Sequence, residues 1–462
     1  MSRSGRSWPE VRGGRGKHRR AADAEAHGGS AAVPRVIDHP LVPGGGEGAD
    51  VVEVVQTPQQ LAALVAELRE AGRFAFDTEF IGEDSYYARF CLVQVATPDR
   101  IWLIDPLAEG LASVGRGDDA AAGDAGGGGL RPFWELLAEP ADGGAGPEVI
   151  VHAGLQDLEP VARLIGRPVG RVFDTQIAAA FVGMPYPMSL TKLCDQMLGA
   201  DLGGSSKFSQ WDRRPLSARQ RAYAANDVRY LLWLRDEVGR GLESRGHVEK
   251  VWSECDVFKD PSAYRVDPRK MKLKAKGAGS LRRREQAVAE ALLVWRAGEA
   301  QARDLPMRTV VDDATLVELA RQPVQSVAEV KKFKGVPWPV KEQCAETLVE
   351  VTAAALAGPM PKRRRYKPLG EAAEAKLAEL SDAVREACEA VDIAPAIAYT
   401  RRDLTELVRS WDKRRRSRAA GGDAAKRAGG AGASDARLHQ GWRGQVLGGA
   451  IRAVLGEPGD GA

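Results

Sequence analysis

Cysteine is sparse and scattered in this sequence, and its scarcity closes off two structural classes. The five residues, Cys91, Cys194, Cys255, Cys344 and Cys388, include no C-x-x-C pair. An odd, dispersed set supports neither a zinc site nor a disulfide framework, and it suits a reduced, cytoplasmic setting. Long apolar runs are missing too: no stretch approaches the roughly 18 unbroken apolar residues of a membrane helix. The N-terminal arginines are not followed by an apolar core, which argues against a secretory leader. Charge of one sign is also lacking, since 66 Lys+Arg against 63 Asp+Glu leave a net charge of +3. Bulk charge therefore identifies no partner, and the places where basic residues collect carry more information.

What is present is a 462-residue chain, 44% hydrophobic, the composition of a soluble globular protein. A length prior divides it into about three domains. Residues 1–48 hold too few large apolar side chains to offset ordering entropy and read as a disordered basic arm. A strand at 51–55 is followed by Thr57-Pro58, an N-cap and first-turn proline, and by apolar residues at helical spacing up to Gly72. Runs at 73–80, 89–97 and 100–105 read as strands, with a Pro98-Asp99 turn, and predict an antiparallel meander. A Gly/Ala/Asp-rich insertion covers about 108–130, after which strands and helices alternate. This order predicts an α/β domain with a mixed sheet over 49–245. Residues 246–280 read as a linker, 281–358 as a helical unit, 359–369 as a basic linker, and 370–456 as a second helical unit. An Arg-rich and Gly/Ala-rich stretch from 413 to 433 is expected to interrupt that last unit.

The chemical signal is carboxylate. Phe76-Asp77-Thr78-Glu79 ends an apolar strand, and residues i and i+2 of a strand share a face, so Asp77 and Glu79 can aim at one point. Two acids on a buried face repel unless cations neutralise them, and a hard divalent ion with oxygen ligands does so. Asp157 lies where an apolar strand passes into a helix; taken alone, it is equally a first-turn acid facing the helix dipole. Tyr223 and Asp227 stand four apart in a helical run and so share a face. Taken alone, that pair is also a half-buried tyrosine beside a solvated acid.

In this order, FDTEF at 76–80, HAGLQDLE at 152–159, FDTQIAAAF at 173–181 and WDRRPLSARQRAYAANDVRYL at 211–231 resemble the signature of the DEDD exonucleases. The resemblance is to the tyrosine-containing branch and its ribonuclease D family. It implies a ribonuclease H-like mixed-sheet fold with metal ligands at Asp77, Glu79, Asp157 and Asp227, and a water-orienting tyrosine at Tyr223. It also implies supporting duty for Asp174 behind the ligands, while His152, at the end of a buried strand, reads from its position as a packed, hydrogen-bonded support to the site. The sequence departs from the pattern at Gln156, where an acid often precedes the motif aspartate, and in the insertion. Residues 281–357 resemble an HRDC domain through Val294-Trp295-Arg296, Arg303-Asp304-Leu305-Pro306 and Leu316-Val317-Glu318-Leu319-Ala320. Leu404-Thr405-Glu406-Leu407-Val408 and Gly441-Trp442-Arg443 mark a diverged second copy.

The family resemblance implies two divalent ions, Mg2+ or Mn2+, and 3′→5′ trimming of RNA with a free 3′ end, tRNA and other stable RNA precursors among them. Release of nucleoside 5′-monophosphates by a monomer is expected, with no membrane partner. Two such metals can activate water and stabilise the departing alkoxide. A free phenol has a pKa of about 10, too high for a simple base, so Tyr223 is assigned to orientation. Lys207, Trp211, Arg213 and Arg214 interleave basic groups with an aromatic, as suits a single-stranded backbone and a stacked base; a solvated loop is the plain alternative. Basic runs at 270–276, 282–284, 362–365 and 413–418 offer phosphate contacts to the helical units. Two rivals stand beside this expectation: a DNA exonuclease using the same acids, and a catalytically inactive RNA-binding scaffold.

Overall fold

The structure, a computed structural model, describes residues 52–112, 128–139, 146–202, 210–264, 267–361, 368–419 and 437–456. The N-terminal arm, most of the insertion, Lys207 and the 362–365 basic run lie outside the described residues. Among the described residues, no helix is long and apolar enough to cross a membrane.

Strand β1 (Val52–Val55) leads into α1 (Pro58–Ala71). A capping box starts this helix: Thr57 accepts from the Gln60 amide and the Gln60 side chain accepts from the Thr57 amide. Gly72, at φ 68°, ends it in the left-handed conformation that glycine adopts without strain. Then come β2 (Arg73–Ile81), β3 (Arg89–Ala96) and β4 (Ile101–Ile104), the expected antiparallel meander. Helix α2 (Arg131–Leu137), β5 (Glu148–Val151), α3 (Leu155–Ile165) and β6 (Arg171–Asp174) follow. The sheet order is β1-β4-β3-β2-β5-β6, with β1 parallel to β4 and β5 parallel to both β2 and β6. Every residue of β3 after Arg89 is buried, because both faces of the sheet are covered.

Helices α4 (Leu190–Leu198), α5 (Ala218–Arg229), α6 (Leu231–Arg245) and α7 (Val248–Cys255) complete this domain. The α7 segment corrects an expectation. Residues 248–264 are not a linker: Val251, Cys255, Phe258 and Tyr264 are buried in the core that holds the sheet. The i, i+4, i+7 spacing of the first three is what buries them along one helix face.

Helices α8 (Arg283–Ala302), α9 (Asp313–Arg321) and α10 (Ala345–Ala357) close a separate core around Val288, Leu292, Leu316 and Leu348. Helices α11 (Glu371–Glu389), α12 (Arg401–Ala419) and α13 (Gly441–Leu455) have no such independence. Leu377, Leu380, Leu407 and Leu447 belong to one continuous core with the sheet. At that junction Trp442 meets Phe181 edge-on at 5.0 Å, and the Arg443 guanidinium grips both carboxylate oxygens of Glu254 at 2.6 and 2.8 Å. The Arg-rich segment at 413 does not interrupt the unit where expected: α12 runs through it to Ala419, arginine being a good helix former.

Candidate active site

The acids gather where β2 passes under α5. Asp77 and Glu79 project from one face of β2, half-buried, and Asp227 comes down from α5. Each of the three offers a carboxylate oxygen within 4.8 Å of the others, a grouping able to hold a metal ion. Two local features aim them. A β-bulge in the β2–β3 pairing falls between Glu79 and Phe80, where such irregularities re-aim side chains. Helix α5 is started by a Ser217/Gln220 capping box, which fixes the phase at which Tyr223 and Asp227 face the sheet. The Tyr223 hydroxyl hydrogen-bonds the Asp227 carboxylate, as the i, i+4 spacing anticipates.

Asp157 stands outside the triplet, on the first turn of α3. Its Oδ1 accepts the Thr78 hydroxyl at 2.7 Å. The approach is possible because the pairing of β2 with β5 ends at Ala75 and Ile150, which leaves the β2 edge open beyond that point. The chain then turns at Ala153, in the left-handed region at φ 57°. Any side chain at Gly154 would strike Val151, its Cβ lying 2.6 Å from the Val151 side chain. Asp174 secures this turn: fully buried, it accepts from the amides of Ala153 and Gly154 at 3.0 and 3.1 Å, and it also N-caps the segment Thr175–Ala179. His152 bonds Thr175 and the Met188 carbonyl. Neither residue joins the acid triplet; both hold the turn that presents Asp157.

Among the described residues, every charge that shifts Asp77 and Glu79 is itself acidic. Asp77 is held well above the usual carboxylate range by burial first, then by Asp157, Asp227 and Glu79. Burial, then Asp227 and Asp157, push Glu79 to about 8. Burial lifts Asp157 to about 6 against the opposing Thr78 hydrogen bond. The Tyr223 phenol is raised by burial, then by Asp227, Glu79 and Asp77. It remains protonated at neutral pH, a donor rather than a base. Like charges this close ionise together only when cations compensate them, and among the described residues no lysine or arginine pairs with Asp77, Glu79 or Asp157. The donor set, all oxygen, fits a hard divalent cation.

Comparison with known proteins agrees with this geometry. The 3′-5′ exonuclease family matches residues 52–243, and the HRDC domain family matches 285–352. Ribonuclease D of Gluconacetobacter diazotrophicus is 31% identical over 360 residues, covering 77% of this chain and 85% of that protein. The chain belongs to the ribonuclease D family. Ribonuclease D of Sphingobium indicum is 32% identical over 287 residues, 61% of this chain and 67% of its own. The fold is also that of Escherichia coli RNase D, at 24% identity and a TM-score of 0.66, covering 89% of this chain and all of that one. As a ribonuclease D, the protein is a 3′→5′ exoribonuclease that depends on divalent metal. Its ribonuclease H-like exonuclease domain is followed by an HRDC domain.

The residues expected to touch RNA divide. Lys207 lies outside the described residues, and Arg213 is exposed. Trp211 is buried, 6.1 Å from the Tyr223 ring, so it backs the tyrosine rather than stacking a base. Arg214 is likewise corrected: it is committed inward. It clasps both oxygens of Asp105 at 2.7 and 2.6 Å and donates to the carbonyl of Cys91, beside the bulge. A buried carboxylate at Asp105 requires such a partner.

Three contributors escaped sequence reasoning. Thr78 sits inside the FDTEF motif, so its place beside the acids was visible although its partner was not. Asp105 carried no local signal. Asp304, at φ 48°, accepts from the amides of Tyr86 and Tyr87 at 3.0 and 2.9 Å, so α8 and its flank hold the β2–β3 loop. A cavity of about 420 Å³ lies behind that loop, lined by Phe80, Tyr86, Tyr87, Gln156, Arg163 and, from the middle helical unit, Gln301.

Proposed function

We propose that Asp77, Glu79, Asp157 and Asp227 hold two divalent ions, Mg2+ or Mn2+, and that the site removes nucleotides one at a time from a free RNA 3′ end as 5′-monophosphates. The observation that carries this reading is the convergence of the half-buried Asp77, Glu79 and Asp227 on one point, where burial and neighbouring acids raise Glu79 to about 8. Bound there, the ions supply the charge that makes water nucleophilic near neutral pH and stabilises the leaving 3′ oxygen.

The chain's own groups do the rest. Asp77, Glu79 and Asp227 gather ions at one point, and Asp157, anchored through Thr78, supplies the fourth carboxylate from the open edge of β2. Tyr223 keeps its proton and orients the attacking water, its ring braced by Trp211. His152 and Asp174 keep the α3 start in place. The aromatic cavity beside Gln156 takes a nucleobase, with Arg163, 5.3 Å over the Tyr86 ring, near the backbone. The protein acts as a monomer in the cytoplasm, a setting that suits five buried free cysteines. Its substrates are structured RNAs with a 3′ overhang, such as tRNA precursors. The HRDC domain at 281–358 and a second, diverged copy at 370–456 guide the RNA, aided by the exposed basic run at 282–284.

A metal titration with matched 3′-hydroxyl RNA and DNA oligonucleotides tests this reading, scored by product length. Stepwise shortening of RNA that stops with chelator, and Asp157→Ala protein that binds RNA without cutting it, are the expected results. Chelator-resistant cleavage, near-normal turnover by Asp157→Ala, or preference for DNA would overturn it.

A further inference from the structure

Gln94, in the middle of β3, is fully buried, and neither its Nε2 nor its Oε1 has a hydrogen-bond partner among the described residues. Buried amides in folded proteins nearly always find partners, so each exception calls for a physical reason. Its position supplies one. Gln94 is in register with Asp77 on β2 and with Leu103 on β4. Directly opposed residues of antiparallel strands share a face, with their Cβ atoms about 4.5–5.5 Å apart. Leu103 packs with Ala224 of α5, so this face is the one that α5 covers with Tyr223 and Asp227. The carboxamide therefore stands beside Asp77, under the helix that brings the third acid.

Nothing in the packing of this face calls for an amide. Leu92 and Leu103, its neighbours on the same face, are apolar, and a methionine of similar volume would fill the space with no polar atom to satisfy. What the amide adds is a pair of N–H donors next to a carboxylate that none of the described cations reaches. Groups that hydrogen-bond a metal-ligating side chain fix which of its atoms faces the ion.

We infer that Gln94 is a positioning residue: its Nε2 donates to the Asp77 carboxylate in the cation-loaded site and sets the oxygen that Asp77 turns toward the ions. The inference rests on the metal-site reading above and deepens it.

The test is Mn2+ binding by titration calorimetry on the full chain, for the parent, Gln94→Met, Gln94→Leu and Asp77→Asn, alongside melting of each metal-free protein. The Gln94 variants are expected to melt at or above the parent, because an unpartnered buried amide has gone. They should bind Mn2+ about 10–100-fold more weakly and lose kcat on RNA by a similar factor, with KM little changed. A folded Gln94→Met with Mn2+ affinity and kcat within about two-fold of the parent overturns the inference, since an effect on that scale is smaller than support of a metal ligand gives. So does failure of both Gln94 variants to fold, which would make the amide's role structural. Asp77→Asn separates the two levels. If it keeps parental Mn2+ affinity, the metal-site reading itself falls; if it loses Mn2+ while Gln94→Met does not, only the role of Gln94 falls.

Discussion

The C-terminal helices bury Leu377, Leu380, Leu407 and Leu447 in one core with the catalytic sheet, whereas the middle helices close their own core around Val288, Leu292, Leu316 and Leu348. The first attachment is a large apolar core reinforced by the Arg443–Glu254 ion pair, so its product is stability. The second is a set of directional bonds onto one loop: Asp304 to the Tyr86 and Tyr87 amides, Arg308 to the Glu83 carbonyl at 2.7 Å, and Gln301 to the Tyr87 hydroxyl at 3.1 Å. That loop continues directly from the strand carrying Asp77 and Glu79. One helical unit therefore shares the core of the exonuclease domain, while the other is bonded to the loop that follows its first acid-bearing strand.

Three experiments bear on this contrast, and the largest effect is expected at the fused junction. Arg443→Leu leaves Glu254 partly buried without its guanidinium, and removing one partner of such a pair costs about 3–5 kcal/mol. Denaturant unfolding should show that loss, with nuclease activity vanishing at the same midpoint. A cost below about 1 kcal/mol would class the contact as an exposed ion pair and break the claim of fusion.

The next effect is on the acids. Glu79 is raised to about 8 and Asp157 to about 6, so in metal-free protein the folded state binds more protons than the unfolded chain above the ordinary carboxylate range. Stability from this source is complete below the unfolded values, and it is lost as pH rises through 6 and then 8. Calorimetry between pH 5 and 8.5 should record a progressive fall in the transition temperature of the sheet-bearing core. Added Mn2+ should reverse it. The transition of the middle unit, which carries none of these acids, should not move; if it tracks pH and metal in the same way, the two cores are one cooperative unit.

The smallest effect on stability is predicted at Asp304. Its backbone already lies at φ 48°, where glycine is at ease, so Asp304→Gly removes the acceptor without straining the chain. Melting should shift by less than about 0.5 kcal/mol, as for a substitution away from any core. RNA turnover, read as kcat/KM, should fall about ten-fold as the Tyr86–Tyr87 loop loses its tether, on the scale of a misplaced binding element. Unchanged kcat/KM would reduce the middle unit's contact to an incidental one.

Much of the site was legible because its spacing is local. The i, i+2 pair Asp77 and Glu79 and the i, i+4 pair Tyr223 and Asp227 each follow from one element's geometry, and Asp157 marks a strand-to-helix junction. The mixed sheet was legible too, in the run of strands followed by alternation. What sequence could not give was partnership across distance. Arg214 reads as an RNA contact until Asp105, 109 positions away, is found against it. The periodicity of α11 to α13 announces a buried face without saying what buries it, and only the structure reveals that the partner is the nuclease. Residues 248–264 read as part of a 246–280 linker because a short helix after a long one carries little signal of its own.

The shared core has a consequence for how the molecule is made. Val55 and Ile451 are buried in the same cluster, so a ribosome must deliver the chain through Ile451 before that cluster can close. The strand bearing Asp77 and Glu79 emerges well before the helices that complete this core. An enzyme that erodes RNA from its ends is thereby assembled only after residues about 370 positions downstream of its first acids have been made.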